Sequence, residues 1–426
     1  MITVWMKEHF IPVIPMTSVL FMTLNSWGMG NAAHVPHVKD YTTAQFLNTS
    51  QTDITLVQDE RCTTIIEEAS LADSLVRSLI DNFWGASFKG YEHRYFFNKT
   101  SMLADLSTGD YWPQAHSIDV ITDAYLRTGN EWYRSFFAKW FAGMPRYNFS
   151  GREEDPWWNV YVDDMEWHTL ALLRIYEATG ETQYLNKARQ MFDDWIWTQW
   201  SDKDEAPWHG GITWKTDITP SKNACSNAPA AIIAARLARY ENDKTTRLSE
   251  AQQIFDWLRT YLYNPTDGAV YDHMEKDGKI VKWTFTYNQG TFLGAAHELY
   301  KLTGNQKYLS DAVQAANYVI NQMSKNGGVP SDATEGDGAL FHGIFFRYLA
   351  NLILEPDLDA TTRQTFTNYM FHCADVMTRE GINHETMLYG GRWHEPTPAD
   401  VPVALNAHLT ACMLIEAVNR IQNRHQ

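Results

Sequence analysis

The chain has 426 residues, 44% of them hydrophobic and 14% aromatic, which is ample for a large buried core and excludes a disordered polypeptide. Lys and Arg total 35 against 51 Asp and Glu, and the formal charge of −16 disfavours nucleic acids and anionic lipid surfaces as partners, leaving a neutral ligand as the better fit. The 17 Trp and 21 Tyr exceed what a helical core needs, and such flat amphipathic rings suit a cleft that grips its ligand by faces and hydroxyls.

In chain order, Lys7 is followed by an apolar stretch over 10–24 and then by Gly28, Gly30, Ala32 and Ala33. That is the order of a secretory leader, and it divides the chain into a leader over 1–33 and a single domain over 34–426, exported to the periplasm or the medium. Pro12 and Pro15 interrupt the apolar stretch, which is too short for a membrane span. The four cysteines, Cys62, Cys225, Cys373 and Cys412, show no C-x-x-C spacing, and no H-E-x-x-H occurs. A zinc site, a dense disulfide frame and a metal hydrolase are therefore disfavoured, and no metal or cofactor is expected.

Helical periodicity predicts segments near 60–83, 113–127, 130–143, 163–178, 181–200, 222–241, 246–263, 286–302, 305–323, 337–354, 357–378 and 400–421. Three of the junctions share a phrase: Tyr125-Leu126-Arg127-Thr128-Gly129, Tyr176-Glu177-Ala178-Thr179-Gly180 and Tyr300-Lys301-Leu302-Thr303-Gly304. Each phrase ends one helix at a glycine and begins the next within a few residues, so the segments pair into about six helical hairpins. A junction near Leu237–Asp243 fills the gap in the repeat but lacks the Thr-Gly. Hairpins must cover one another's apolar faces, and six of them with inner helices rich in Ala, Gly, Leu and Trp favour an all-α fold, a closed (α/α)6 barrel. Two stretches depart from helix. Residues 269–274 and 279–283 flank Lys276-Asp277-Gly278 as a small β-hairpin, and the glycine-rich run Trp208–Trp214 reads as a shaped loop.

The segment Tyr161-Val162-Asp163-Asp164-Met165-Glu166-Trp167 carries the strongest chemical signal. Two carboxylates in an aromatic cleft are the minimum for cleaving a glycosidic bond, and adjacent helical residues can hold their carboxyls roughly 5–7 Å apart, a span that overlaps the retaining geometry and touches the inverting one. Asp163 followed by Glu166 is equally a helix-start signature, so the pair alone leaves both readings open. Other helix starts collect hydrogen-bonding groups that match vicinal hydroxyls: Gln114, His116 and Asp119; Asn223 and Asn227; and Tyr287, Asn288 and Gln289. Trp158 and Trp214 are candidates for stacking on a sugar ring. Each polar residue could instead serve as a helix cap; several such starts in one toroid would converge on a single pit.

Taken together, Tyr161–Gly180, Gly210-Gly211-Ile212, Lys222–Asn227 and Thr286-Tyr287-Asn288-Gln289-Gly290 closely resemble glycoside hydrolase family 76, the endo-α-1,6-mannanases, over about 60–415. The resemblance implies retaining, endo-acting cleavage of α-1,6-linked mannose chains such as the backbone of fungal cell-wall mannan. It also implies Asp163 as nucleophile and Asp164 as acid/base, with Asp164 kept protonated and Asp163 ionised. Glu166 is expected to cap the helix or support the pair. No apolar tail closes the sequence, so an unanchored, monomeric hydrolase acting on mannan or its oligosaccharides is expected. Another toroidal glycosidase, a sugar epimerase centred on His116 or His209, and a non-catalytic glycan binder are the competing readings.

Overall fold

The computed structural model describes residues 60–85, 94–100, 111–148, 150–201, 208–216, 221–242 and 244–423. The expected leader over 1–33 and its junction with the domain lie outside the described residues. Twelve α-helices run through the rest: α1 (Glu60–Phe83), α2 (Trp112–Thr128), α3 (Glu131–Tyr147), α4 (Val162–Thr179), α5 (Thr182–Met191), α6 (Ala224–Leu237), α7 (Lys244–Tyr261), α8 (Thr286–Thr303), α9 (Gln306–Tyr318), α10 (Gly338–Ile353), α11 (Ala360–Val376) and α12 (Leu405–Asn423).

Helices α2, α4, α6, α8, α10 and α12 each pack on the next, and α12 packs back on α2, which closes the inner ring. Outside them, α3, α5, α7, α9 and α11 each lie against the inner helix that precedes them, while α1 covers α12. The composition of the inner helices follows from this placement. Every residue of α6 except Arg236 is buried, so a helix covered all round must be Ala- and Ile-rich rather than striped. Where two inner helices touch, glycine lets the backbones approach. A Cβ at Gly290 of α8 would lie 2.7 Å from the Phe345 Cα of α10, and one at Gly343 of α10 would lie 3.0 Å from the Thr410 Cα of α12.

The three Thr-Gly junctions form one device. Gly129, Gly180 and Gly304 adopt φ of 64°, 74° and 68°, and each donates its N–H to a carbonyl four residues back, on Tyr125, Tyr176 and Tyr300. Nothing lies within 4 Å of a Cβ at any of these glycines, so the left-handed backbone alone demands them. The threonines bridge the turn: Thr128, Thr179 and Thr303 donate to carbonyls of the preceding helical turn and accept from the N–H two residues on, at 3.1–3.2 Å.

Element ends differ from the sequence expectation in several places; α3 runs on to Tyr147 and α6 stops at Leu237. The α5, α9 and α11 helices each finish in a π-helical turn, Phe192–Ile196, Val319–Met323 and Met377–Gly381. Lys222 and Asn223 belong to a strand and not to α6. Helix α12 starts at Leu405 and not near 400, because Pro402 and the extended residue it imposes before it resist the helix.

Seven short strands complete the architecture, β1 (Trp84–Gly85), β2 (Tyr95–Phe96), β3 (Ser221–Asn223), β4 (His273–Glu275), β5 (Ile280–Val281), β6 (Ile382–Asn383) and β7 (Leu388–Tyr389). The expected hairpin is present as β4–β5, and β3 joins it to make a three-stranded antiparallel sheet beside the start of α6.

Candidate active site

Asp163 and Asp164 stand in the first turn of α4, at the positive end of its dipole, and Tyr161 precedes the helix in extended conformation without capping it through its side chain. The Asp163 carboxyl meets the N–H groups of Asp163 and Asp164 at this helix start. Asp163 is partly accessible, and its carboxyl lies against the Cys225 thiol of α6, which hydrogen-bonds to it; the Tyr287 hydroxyl of α8 reaches the same thiol. Asp337, immediately before α10, and Asp272, immediately before β4, add negative charge at the same place. The Tyr111 hydroxyl at the start of α2 is near enough to Asp164 to feel its charge. Five starts of inner helices, or the loops before them, therefore converge on the aspartate pair.

Rings line the walls. Tyr287 stacks on Phe341 at 3.9 Å between centroids, Trp112 lies 6.5 Å from Phe341 and 6.4 Å from Trp167, and the Trp112 indole N–H donates to Asp337 at 3.1 Å. Trp112, Phe341 and Tyr287 are only partly buried, as walls that meet a ligand must be. Tyr161 and Trp214 pack at 5.2 Å on the α6 side.

Burial dominates the electrostatics. It pushes Asp163 up to about 7, against the pull of the Cys225 thiol and of the N–H groups of Asp163 and Asp164. The resemblance implies an ionised Asp163, and burial opposes that charge in the free protein. Trp157 packs inside the core on Trp140 and Phe141, and Trp158 is covered by the Arg152 guanidinium at 3.6 Å. Directly below Asp163, Glu166 is fully buried, and burial followed by the charge of Asp163 holds its carboxyl well above the usual range. His168 is buried beneath Tyr111, with Nε2 3.2 Å from the Tyr111 carbonyl, and burial pushes it down to about 3.

Several residues expected to bind sugar do something else. Gln114 exchanges two 2.8 Å hydrogen bonds with the backbone of Phe96, Asn227 grips the N–H and C=O of Ile212, and Gln289 grips those of Val270. All three are fully buried, so their amides are used up in clamping the preceding loops to the inner helices. Asp119 is committed to a buried ion-pair square with Asp123, Arg174 of α4 and Arg347 of α10, at 2.5–3.2 Å. His116 is buried between Trp112 and Trp167, without a protein partner for either ring nitrogen.

Asn288 donates to Asp272 at 3.2 Å, and its carbonyl oxygen, like that of Asn223, is left without a protein partner. Tyr287, Asn288, Asn223 and Trp214 therefore stay near the pair, whereas Gln114, Asp119, Asn227 and Gln289 support the walls. Cys225, Asp272, Asp337, Trp112 and Phe341 are additions from the structure. A partly apolar residue at an inner-helix start, two positions from the recognised polar ones, was the signal available for Trp112 and Cys225.

A cavity of about 410 Å³ lies among the later turns of the inner helices and reaches in to His116 and Trp167. Its charges neutralise one another: Arg236 pairs with Glu177, Arg239 with Glu298, and Arg174 and Arg347 with the two aspartates. No group of three or more metal-ligating side chains occurs among the described residues, and none of their helices is long and apolar enough to cross a membrane.

The chain resembles proteins of known structure and name. It matches an α-1,6-mannanase of Salegentibacter sp. HEL1_6 with 33% identity and a TM-score of 0.75, covering 83% of this chain and 99% of that one. An inactive variant of the same bacterial protein, with two consecutive aspartates changed to asparagine, was obtained in complex with α-1,6-mannotriose. A putative mannan endo-1,6-alpha-mannosidase of Schizosaccharomyces pombe is 23% identical over 68% of this chain and 69% of its own length. The mannan endo-1,6-alpha-mannosidase DFG5 of Saccharomyces cerevisiae is 38% identical, but the match spans only 29% of this chain and 28% of that protein. The Glycosyl hydrolase family 76 profile matches residues 70–425, and the chain belongs to that family.

Proposed function

We propose that this protein is a retaining endo-α-1,6-mannanase whose chemistry is carried by Asp163 and Asp164. The observation that supports it most is the placement of two carboxyls, consecutive in sequence, in an aromatic cleft at the start of α4. The bacterial relative that is inactive without its two consecutive aspartates, and that binds α-1,6-mannotriose, supports the choice of linkage.

In the first step a carboxylate oxygen of Asp163 bonds to the anomeric carbon while the glycosidic C–O bond breaks, and Asp164 gives its proton to the departing oxygen. In the second step Asp164 takes a proton from water, whose oxygen displaces Asp163 and regenerates the free carboxylate. Trp112, Phe341 and Tyr287 supply faces for the sugar rings, and Asn223 and Asn288 offer carbonyl oxygens to hydroxyls. The leader-like order of residues 1–33 fits action outside the cytoplasm, where such polysaccharides are met.

Incubation with linear α-1,6-mannan, followed by chromatography, tests the reading. The wild-type chain should release short mannose oligomers, and Asp163→Ala or Asp164→Ala should reduce release by on the order of 10³-fold or more. Binding of mannan without release would assign the protein to the glycan binders.

A further inference from the structure

Glu166 is a buried acid next to the cleft that the proposed reaction leaves without a task. It is fully buried, and neither carboxyl oxygen has a hydrogen-bond partner in the protein. An ionised carboxylate could not be held so without a large cost. The charge acting on it is that of Asp163, three residues earlier and therefore on the same face of α4 one turn away. Asp163 has the complementary defect: its Oδ1 is buried and without a partner, while the Cys225 thiol serves the carboxyl from the α6 side. Two buried carboxyls without partners for these oxygens thus lie one helical turn apart on the same side of α4.

We propose that a neutral Glu166 donates its carboxyl proton in a hydrogen bond to Oδ1 of Asp163, making Glu166 the positioning residue that holds the attacking carboxylate and favours its charged form. This rests on the reading of Asp163 as the nucleophile. A carboxylic acid–carboxylate hydrogen bond is short and strong in a dry site. It would offset the burial that otherwise disfavours the Asp163 anion, and it fixes which oxygen is left to attack. The other titratable groups around the pair cannot take this role: Cys225 from α6 already serves the carboxyl from its own side, Tyr287 from α8 is turned to Cys225, Tyr111 from α2 acts on Asp164, and Asp337 before α10 only adds like charge.

The test compares Glu166→Gln, which keeps a neutral donor, with Glu166→Leu, which removes it, through the pH profile of kcat/KM on α-1,6-mannan. Glu166→Gln should keep the acidic limb within about 0.3 unit of wild type, whereas Glu166→Leu should move it up by about one to two units, a loss of roughly ten- to hundredfold below the limb. A downward shift in both variants would show an ionised Glu166 and overturn the proposal, as would an equal loss of rate in both with no shift of the limb. Infrared difference spectra at pH 8 provide a second reading that needs neither turnover nor the leucine variant. One carbonyl stretch of a protonated carboxyl present in wild type should be missing from Glu166→Gln, with that of Asp164 left in place; an unchanged band pattern overturns the proposal. Wild type that leaves mannan intact yet shows this band would refute the proposed activity and spare the carboxyl pair.

Discussion

Asp163 sits where its charge is costly, and that cost has a measurable sign. Its folded pKa of about 7 lies above the ordinary carboxylate value, so the fold favours the protonated form. The stabilisation is complete below about pH 4 and is lost as pH rises through about 7. Asp163→Asn removes the titration, so the melting temperature of the variant relative to wild type should be higher at pH 8 than at pH 5; an equal offset at both would refute the burial argument. The clamps make an opposite prediction. Asn227→Leu strands the N–H and C=O of Ile212 and should cost roughly 2–4 kcal/mol in denaturant unfolding. At this scale the sequence revealed residue types more reliably than the direction they point. Asn223 and Asn227 look equivalent in Lys222–Asn227, yet one leaves its side-chain oxygen unpartnered and the other spends its amide on Ile212 and the Asn223 carbonyl. What distinguishes them is the position of Ile212, fifteen residues away in the chain, and no local pattern carries that.

Elements were more legible, because their causes are local. The motif Thr286-Tyr287-Asn288-Gln289-Gly290 shows how one helix start divides its duties: Tyr287 faces the cleft, Asn288 holds Asp272, Gln289 clamps Val270 and Gly290 admits α10. The Thr-Gly junctions were visible from spacing, since a left-handed residue after a helix nearly dictates glycine. Gly180→Ala should cost about 1 kcal/mol from backbone strain alone, as open space surrounds its Cβ. Gly294→Ala should cost more, because its Cβ would lie 2.4 Å from the Tyr348 ring. Equal losses would contradict the distinction between backbone strain and packing. The π-helical ends of α5, α9 and α11 left no trace in the periodicity, since one extra residue in the last turn barely changes an apolar stripe.

Across the whole molecule, ring closure gathers six helix starts on one face and gathers charge on the axis behind them. The count of hairpins predicted closure; the partner that closes the ring, α12 against α2, is a contact between chain ends that no short-range pattern encodes. The square of Asp119, Asp123, Arg174 and Arg347 ties α2, α4 and α10 together. Arg347→Met leaves two buried carboxylates sharing one guanidinium and should destabilise the chain by about 3–5 kcal/mol, measured by unfolding, while leaving the cleft chemistry of the folded fraction intact. The most direct measurement of the central claim is proton NMR of α-1,6-mannan during the first minutes of digestion. Nucleophilic attack by Asp163 with proton transfer by Asp164 predicts that new reducing ends appear first as the α-anomer and that neither alanine variant produces them. New ends appearing first as the β-anomer, or unchanged release by either variant, would contradict it.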